Sequence, residues 1–185
     1  MKKLVLIALV IMMSSSAGAT QLAGVEMPDT FPAGIKQLAL NGAGIRTKYF
    51  MKLYVGGLYL MQKEQNPQKI IAADEPMAIK LHIISGLITS DKMIAVINEG
   101  FVNATKGNTT PLTAQIDSFI AFFREKIEEN DIFDILYIPE QGVVVHKNNK
   151  KLGIVAGLEF KQALFGIWLC DKPADKALKK GMLGG

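Results

Sequence analysis

The segment that decides the fold covers residues 40–60 and reads LNGAGIRTKYFMKLYVGGLYL. From Ile45 onward it is rich in aromatic and β-branched residues and shows no helical periodicity. We therefore predict one long strand over residues 45–60, kinked at its glycines. Strand alternation then places cationic and apolar side chains together on one face, which is formed by Arg46, Lys48, Phe50, Lys52, Tyr54 and Leu58. Such a face suits either a solvated sheet surface or the wall of a pocket for an amphiphile.

The remaining sequence alternates between predicted strands and predicted helices. The strands cover residues 22–26, 36–40, 76–85, 132–138, 142–146 and 152–156, with a loop at 28–34. The helices cover residues 66–73, 91–103, 110–129, 159–170 and 174–182, and Ser90 is the expected N-cap of the second. Most strands are joined by turns rather than by helical crossovers. The predicted fold class is therefore α+β, with a large antiparallel sheet packed by helices on one face.

The N-terminus has the features of a secretory signal peptide. Two lysines at positions 2–3 precede an apolar run at residues 4–13, and small residues occupy positions 17–19. We expect cleavage after Ala19, a mature chain of residues 20–185 that folds as one domain, and a periplasmic location. The apolar run is too short to span a bilayer, so we expect no stable membrane insertion after cleavage.

Composition and spacing argue against several functional classes. The chain has 21 Lys and Arg against 17 Asp and Glu, and two of the lysines belong to the predicted signal peptide, so the basic excess is too small to indicate nucleic-acid binding. A single cysteine, Cys170, cannot form an intrachain disulfide. His82 and His146 have no Cys, Asp or Glu at ligand spacing within their own strands, so no metal site is predicted. Neither a Gly-x-Ser-x-Gly motif nor a phosphate-binding glycine loop is present, and no cofactor is expected.

Residues 40–60 closely resemble the signature of the chalcone isomerase-like superfamily. A second segment, ALFGIWL at residues 163–169 followed by DKP at 171–173, resembles the C-terminal helical segment of its bacterial exported members. The order of the intervening elements agrees, so the resemblance covers essentially all of residues 20–185. It implies an open-faced sandwich in which helices pack on a large antiparallel sheet, with a ligand cleft between the two layers.

The superfamily contains plant enzymes that close chalcones to flavanones, and plastid relatives that bind fatty acids without catalysis. The resemblance matches Arg46 to an arginine of the enzymes. The enzymes' other residue types are replaced: a Thr by Tyr54, a Tyr by Lys92, an Asn by Glu99 (or matched by Asn98 if the register shifts by one), and a hydroxyl residue by Gly166. Ring closure needs hydrogen-bond donors aimed at the ketone and the phenolate. The resemblance therefore does not favour isomerase activity.

The fatty-acid-binding relatives pair the strand arginine with a tyrosine near the position of Tyr54, and both side chains donate to a carboxylate. Because both residue types are present, the resemblance implies a non-catalytic binder of a fatty acid or similar amphiphile. The candidate ligand-binding residues are Arg46, Tyr54, Lys92, Gly166 and Trp168. In a straight strand Arg46 and Tyr54 would lie roughly 26 Å apart. They can share one carboxylate only if the strand bends or folds back.

Two other functions stay open on the sequence. One is a structural or interaction protein whose cleft is filled, since the chain has enough large side chains to close a pocket, namely Phe50, Leu53, Phe119, Phe123, Phe165 and Trp168. The other is an isomerase or lyase of unknown substrate.

Overall fold

The computed structural model describes residues 19–185, so the prediction of a signal peptide falls, except for Ala19, outside the described residues. In this range the strands are β1 Thr20–Leu22, β2 Val25–Met27, β3 Thr30–Ala33, β4 Lys36–Lys48, β5 Met51–Leu60, β6 Met77–Ile83, β7 Ile132–Ile138, β8 Gly142–Lys147 and β9 Lys150–Val155. The helices are α1 Pro67–Ala72, α2 Ser90–Ala104, α3 Thr113–Ala121, α4 Leu158–Leu169 and α5 Lys176–Met182, and a 3₁₀ turn at Thr110–Leu112 precedes α3.

Strands β3 to β9 form one seven-stranded antiparallel sheet in which each strand pairs with its neighbours in sequence. Strands β1 and β2 form a separate small hairpin. The sheet curls, and helices pack on one of its faces. The predicted α+β class with a large antiparallel sheet is confirmed.

The main core lies between the sheet and the helices. Helix α4 is buried along nearly its whole length, as expected for a helix that is apolar on all sides. Strands β5 to β8 direct alternate apolar side chains toward it. A smaller core on the opposite face of the sheet includes Val25 and Met27 of the β1–β2 hairpin, packed with Phe31, Val55 and Tyr59. Both faces of this part of the sheet thus bury apolar surface, the dominant stabilising term of folding.

Residues 45–60 do not form one strand, and that prediction is wrong. Strand β4 ends at Lys48, the chain reverses at Tyr49 and Phe50, and β5 returns antiparallel from Met51. Both turn residues have positive φ, 49° and 65°, as a tight two-residue hairpin requires. The reversal changes which side chains meet, because residues on the two arms become neighbours across the hairpin.

Other boundaries also differ from the predictions. The single strand predicted at residues 22–26 is split into β1 and β2, and the predicted loop at 28–34 contains β3. The N-cap of α2 is Thr89 rather than Ser90, since the Thr89 side chain accepts from the Lys92 amide. The helix predicted over 110–129 ends at Ala121.

The glycines of residues 40–44 allow α5 to lie directly on β4. A Cβ added at Gly42 would come 2.2 Å from the carbonyl oxygen of Gly181, and one at Gly44 would come 3.1 Å from Leu178. Asn41 stabilises the contact between α5 and β4, since its Nδ2 donates to the carbonyl oxygen of Met182 at 2.8 Å. The same Nδ2 donates to the carbonyl oxygen of Glu64 at 3.0 Å. This part of the sequence signature therefore has a structural role.

No helix among residues 19–185 is long and apolar enough to cross a membrane.

Candidate functional site

A cavity of about 350 Å³ lies between the β4–β5 hairpin and α2. This volume is near the lower end of the range for small-molecule sites, about 300–1,000 Å³. The hairpin, the loop before α2 and one side of α2 all contribute to its wall, which is formed by Arg46, Lys48, Tyr49, Met51, Leu53, Tyr54, Leu87, Ile88, Lys92, Met93, Ala95, Val96 and Glu99. Most of these side chains are apolar, and the charged ones are Arg46, Lys48, Lys92 and Glu99.

Arg46 and Tyr54 are directly opposite each other in the β4–β5 ladder. The guanidinium carbon lies 5.7 Å from the centre of the Tyr54 ring, within the range of a cation–π contact. The hairpin thus removes the separation that a straight strand would impose. Arg46 and Tyr54 face the same cavity from neighbouring strands.

Trp168 of α4 fixes the orientation of the Tyr54 hydroxyl. The indole Nε1 donates a buried hydrogen bond of 3.0 Å to Tyr54 Oη. Because an indole can only donate, the tyrosine oxygen must act as the acceptor, and its own proton is left to donate elsewhere. Trp168 therefore prepares Tyr54 as a hydrogen-bond donor beside Arg46.

Arg46 is a buried cation with no protein counter-ion in the described part of the chain. Its exposed fraction is 8%, and the four ion pairs among residues 19–185 all join other side chains. A buried charge is costly unless an anion or several hydrogen bonds compensate it. A guanidinium in this setting is well suited to a planar carboxylate, which it binds with two parallel hydrogen bonds.

The deep side of the cleft is filled. Beyond Arg46 and Tyr54 only about 10 Å³ of space is left, and Phe119, Phe123 and Trp168 close it together with aliphatic side chains. By contrast, Leu53 lines the outer cavity and Phe50 points away from the protein. Of the large side chains that could close the cleft, Phe119, Phe123 and Trp168 thus fill its deep side, Phe165 lies buried in the core and lines neither space, and the outer cavity stays open.

Lys92 lies at the cavity and Gly166 does not. Lys92 lines the wall from α2, and its Nζ donates to the carbonyl oxygen of Leu87 at 3.0 Å, so it also holds the loop before α2. A Cβ at Gly166 would come 2.7 Å from the Cβ of Ala104. Gly166 therefore permits the close crossing of α2 and α4, and it is absent from the cavity wall. Glu99, rather than Asn98, faces the cavity.

Much of the apolar wall is formed by Leu87, Ile88, Met93 and Val96, none of which is among the binding residues predicted from the sequence. The spacing of Met93 and Val96 by three residues on α2 was a usable signal, since such residues share a helix face. Leu87 and Ile88 lie in a loop, where no periodicity marks a buried side chain. Among residues 19–185 no group of three or more His, Cys, Asp and Glu side chains could hold a metal ion.

The fold and the cavity together define a class: an open-faced α+β sandwich with a small-molecule cleft between its sheet and its helices. The sequence model of the chalcone isomerase-like family matches residues 19–184. The chain belongs to this family. No curated protein sequence matches it.

The fold is also that of a solved plant protein. The crystal structure of a fatty-acid binding protein from Arabidopsis thaliana superposes with a TM-score of 0.68 at 17% sequence identity, over 86% of this chain and 92% of the plant chain. At this identity the likeness shows the fold.

Proposed function

We propose that this protein is an exported, non-catalytic binder of a fatty acid or a similar amphiphilic carboxylate. The observation that carries the proposal is the buried guanidinium of Arg46 at the inner end of an apolar cavity, beside a tyrosine whose hydroxyl proton is free to donate. A carboxylate would satisfy both donors at once. The periplasmic location rests on the signal-peptide pattern of the sequence, and membership of a bacterial exported branch rests on the resemblance of residues 163–173 to its C-terminal segment.

The wall determines how the rest of the ligand would lie. With its carboxylate at Arg46, an acyl chain would run outward along Met51, Leu53, Ile88 and Met93 toward the mouth of the cavity. It would not extend inward, because the deep side is closed by aromatic side chains. The volume of about 350 Å³ favours a medium-length chain over a long one.

Two features support binding rather than isomerisation. The positions that the resemblance assigns to catalysis carry Tyr54, Lys92 and Gly166, and Gly166 has no side chain to donate a hydrogen bond. The plant protein of the same fold is itself a fatty-acid binding protein, which agrees with a binding role.

Native mass spectrometry of the protein purified from its own host tests this proposal. We expect an added mass that corresponds to one carboxylate-bearing amphiphile, which organic extraction should release and identify. The emptied protein should then take up a medium-chain fatty acid. No adduct in the purified protein and no uptake by the emptied protein would favour the alternative in which the cleft is filled and the protein has a structural or interaction role.

A further inference from the structure

The β4–β5 turn carries two aromatic residues that the fold itself does not require. Tyr49 and Phe50 both have positive φ, a conformation that Asn and Gly adopt readily and that aromatic residues rarely adopt. Their side chains gain little from packing, since Tyr49 is 79% exposed and Phe50 is 102% exposed. Neither backbone geometry nor burial explains why aromatic residues occupy this tip.

The tip forms part of a rim at the mouth of the cavity, which we call the hairpin rim. It comprises Lys48, Tyr49, Phe50, Met51 and Lys52 of the hairpin and Leu87 of the loop before α2. Its six residues are all exposed, and Lys48, Tyr49, Met51 and Leu87 also line the cavity. The rim thus combines an apolar tip with flanking cations.

The charge around the hairpin rim is mainly positive. Lys92 adds a further exposed amine on the α2 side of the mouth. Two acidic groups lie near: Glu99 lines the cavity, and Asp175 accepts a hydrogen bond from the Thr47 amide at 3.2 Å. Neither belongs to the rim itself. A partner that bears negative charge is therefore complementary to this surface.

We propose that the hairpin rim docks on the surface of an anionic lipid bilayer. Aromatic side chains are favoured at the membrane interface, where the ring lies among the acyl chains and headgroups. Flanking lysines are attracted to anionic headgroups. A projecting turn offers no groove or flat face to a folded partner, whereas a fluid bilayer needs no matching shape. Phe50 enters the interface, and Lys48 and Lys52 contact the headgroups.

Docking in this way places the mouth of the cavity against the bilayer. Tyr49 and Met51 on one side and Leu87 on the other would then border a path from the lipid to Arg46. An acyl ligand would pass between membrane and cavity without crossing water, which is costly for apolar surface. This consequence rests on the proposed binding of a fatty acid, whereas the docking rests on the rim alone.

Co-sedimentation with vesicles tests the docking. The vesicles contain phosphatidylcholine mixed with phosphatidylglycerol, and pure phosphatidylcholine vesicles serve for comparison. Phe50→Gly removes the ring and relieves the positive φ, so it should fold at least as well as the wild type. We expect Phe50→Gly to weaken binding to the anionic vesicles about fivefold to tenfold, and Lys52→Gln to weaken it about fivefold. Phe50→Trp should preserve binding, because Trp is also favoured at the interface.

Ile35 provides a matched control. It also lies in a two-residue hairpin turn, between β3 and β4, and is 104% exposed, but it is at the far end of β4, roughly 35–40 Å from Phe50 along the strand. Ile35→Ser should leave vesicle binding unchanged. Mass spectrometry checks that the wild type and all variants begin at the same N-terminal residue, and thermal melting checks that each is folded.

Three outcomes would overturn the docking: no sedimentation of the wild type, equal binding by wild type and Phe50→Gly, or an equal loss with Ile35→Ser. Binding of a fatty acid in solution is measured separately. Wild-type protein that binds fatty acid but does not sediment would end the docking and leave the proposed function standing. Protein that sediments with vesicles in a manner dependent on Phe50 but binds no fatty acid would end the proposed function and leave the docking standing.

Discussion

Replacing Lys161 with Met should destabilise the protein, because this lysine holds the end of α1. Its side chain is fully buried on α4. Its Nζ donates to the carbonyl oxygens of Ile70 (3.0 Å), Ile71 (3.0 Å) and Ala73 (2.6 Å). The last carbonyls of a helix have no partner within the helix and need one from outside. Methionine keeps the apolar part of the side chain but removes the donor.

The size of the effect follows from the burial of these three carbonyls. A buried carbonyl that loses its donor costs about 1–3 kcal/mol. The bond to Ile70 is buried, while those to Ile71 and Ala73 are partly buried, so water can replace the donor there. The substitution also removes the cost of burying an ammonium group. We therefore expect a net loss of about 2–4 kcal/mol of unfolding free energy, or a fall in Tm of roughly 5–15 °C.

The effect should depend on pH. Burial lowers the pKa of Lys161 from 10.5 to about 8, against the opposing influence of Asp74 and Glu75. Between these two values the unfolded state binds more protons than the folded state, so wild-type stability rises with pH. The Lys161→Met variant lacks this pH-dependent contribution. The difference in unfolding free energy between the wild type and the variant should therefore grow as pH rises through 8. The carbonyl acceptors favour the charged amine, so the rise should be smaller than the roughly 3 kcal/mol that the full shift represents.

Urea unfolding near neutral pH and again about two units higher, across the linkage region, measures both effects. The control is Lys69→Met on α1, because the Lys69 side chain is 71% exposed and should change stability by no more than about 0.5 kcal/mol. A Lys161→Met variant as stable as the control, or a difference that shrinks with rising pH, would refute this reasoning.

Further predictions concern the helix crossing, the cavity, the N-terminus and catalysis. Gly166→Ser should cost about 1–3 kcal/mol of unfolding free energy, because its Cβ would crowd Ala104; urea unfolding at wild-type concentrations would contradict this. Ala95→Phe should fill the cavity and abolish fatty-acid uptake in native mass spectrometry, whereas Val102→Phe, on the same helix but away from the cavity wall, should not; equal uptake by both variants would argue against this site. N-terminal sequencing of the exported protein should begin at or near Thr20, and an intact precursor would refute cleavage. The purified protein should not accelerate chalcone cyclisation, and a rate clearly above the spontaneous one would restore the enzyme hypothesis.

The turn at Tyr49 and Phe50 shows why the hairpin could not be predicted from residue types. Turns are marked in sequence by Gly, Asn, Asp, Pro and Ser, and none of these occurs between Thr47 and Val55. The alternation of side chains holds from Tyr54 to the end of β5, so Tyr54 and Val55 face opposite cores. It is interrupted just before Tyr54 by the register shift between Arg46 and Thr47, so that Leu53 and Tyr54 line the same cavity. The reversal itself had no sequence signal, and it is this reversal that brings Arg46 to Tyr54.

The helix predicted over residues 110–129 is too long because buried side chains beyond α3 keep the helical spacing. Phe123 and Ile127 continue the apolar spacing and are buried, but α3 ends at Ala121. The carbonyl oxygen of Phe123 instead accepts a hydrogen bond from the Ser90 hydroxyl. Where pattern and hydrogen bonding agreed, as in β7, β8 and α4, the predicted elements match the observed ones closely.

The candidate site could be predicted only in part. The family resemblance selected Arg46, Tyr54 and Lys92, and the fold places all three at one cavity. Their role in binding stays a prediction. The wall formed by Leu87 and Ile88 depends on how a loop packs against a hairpin, and local sequence does not encode that placement. Whether the cleft was open or filled was likewise a property of packing.

The most direct test of the central claim is calorimetric titration of the emptied protein with a medium-chain fatty acid. Arg46→Ala should weaken binding by about 1.5–3 kcal/mol, the worth of a hydrogen bond to a charged group, which is about tenfold or more in affinity. Arg46→Lys should recover only part of this loss, because an ammonium lacks the bidentate geometry. Tyr54→Phe should cost less than Arg46→Ala, and Arg124→Ala, which removes an exposed arginine, should have no effect. Equal affinities for all five proteins, or no binding by the wild type, would contradict a carboxylate site at Arg46.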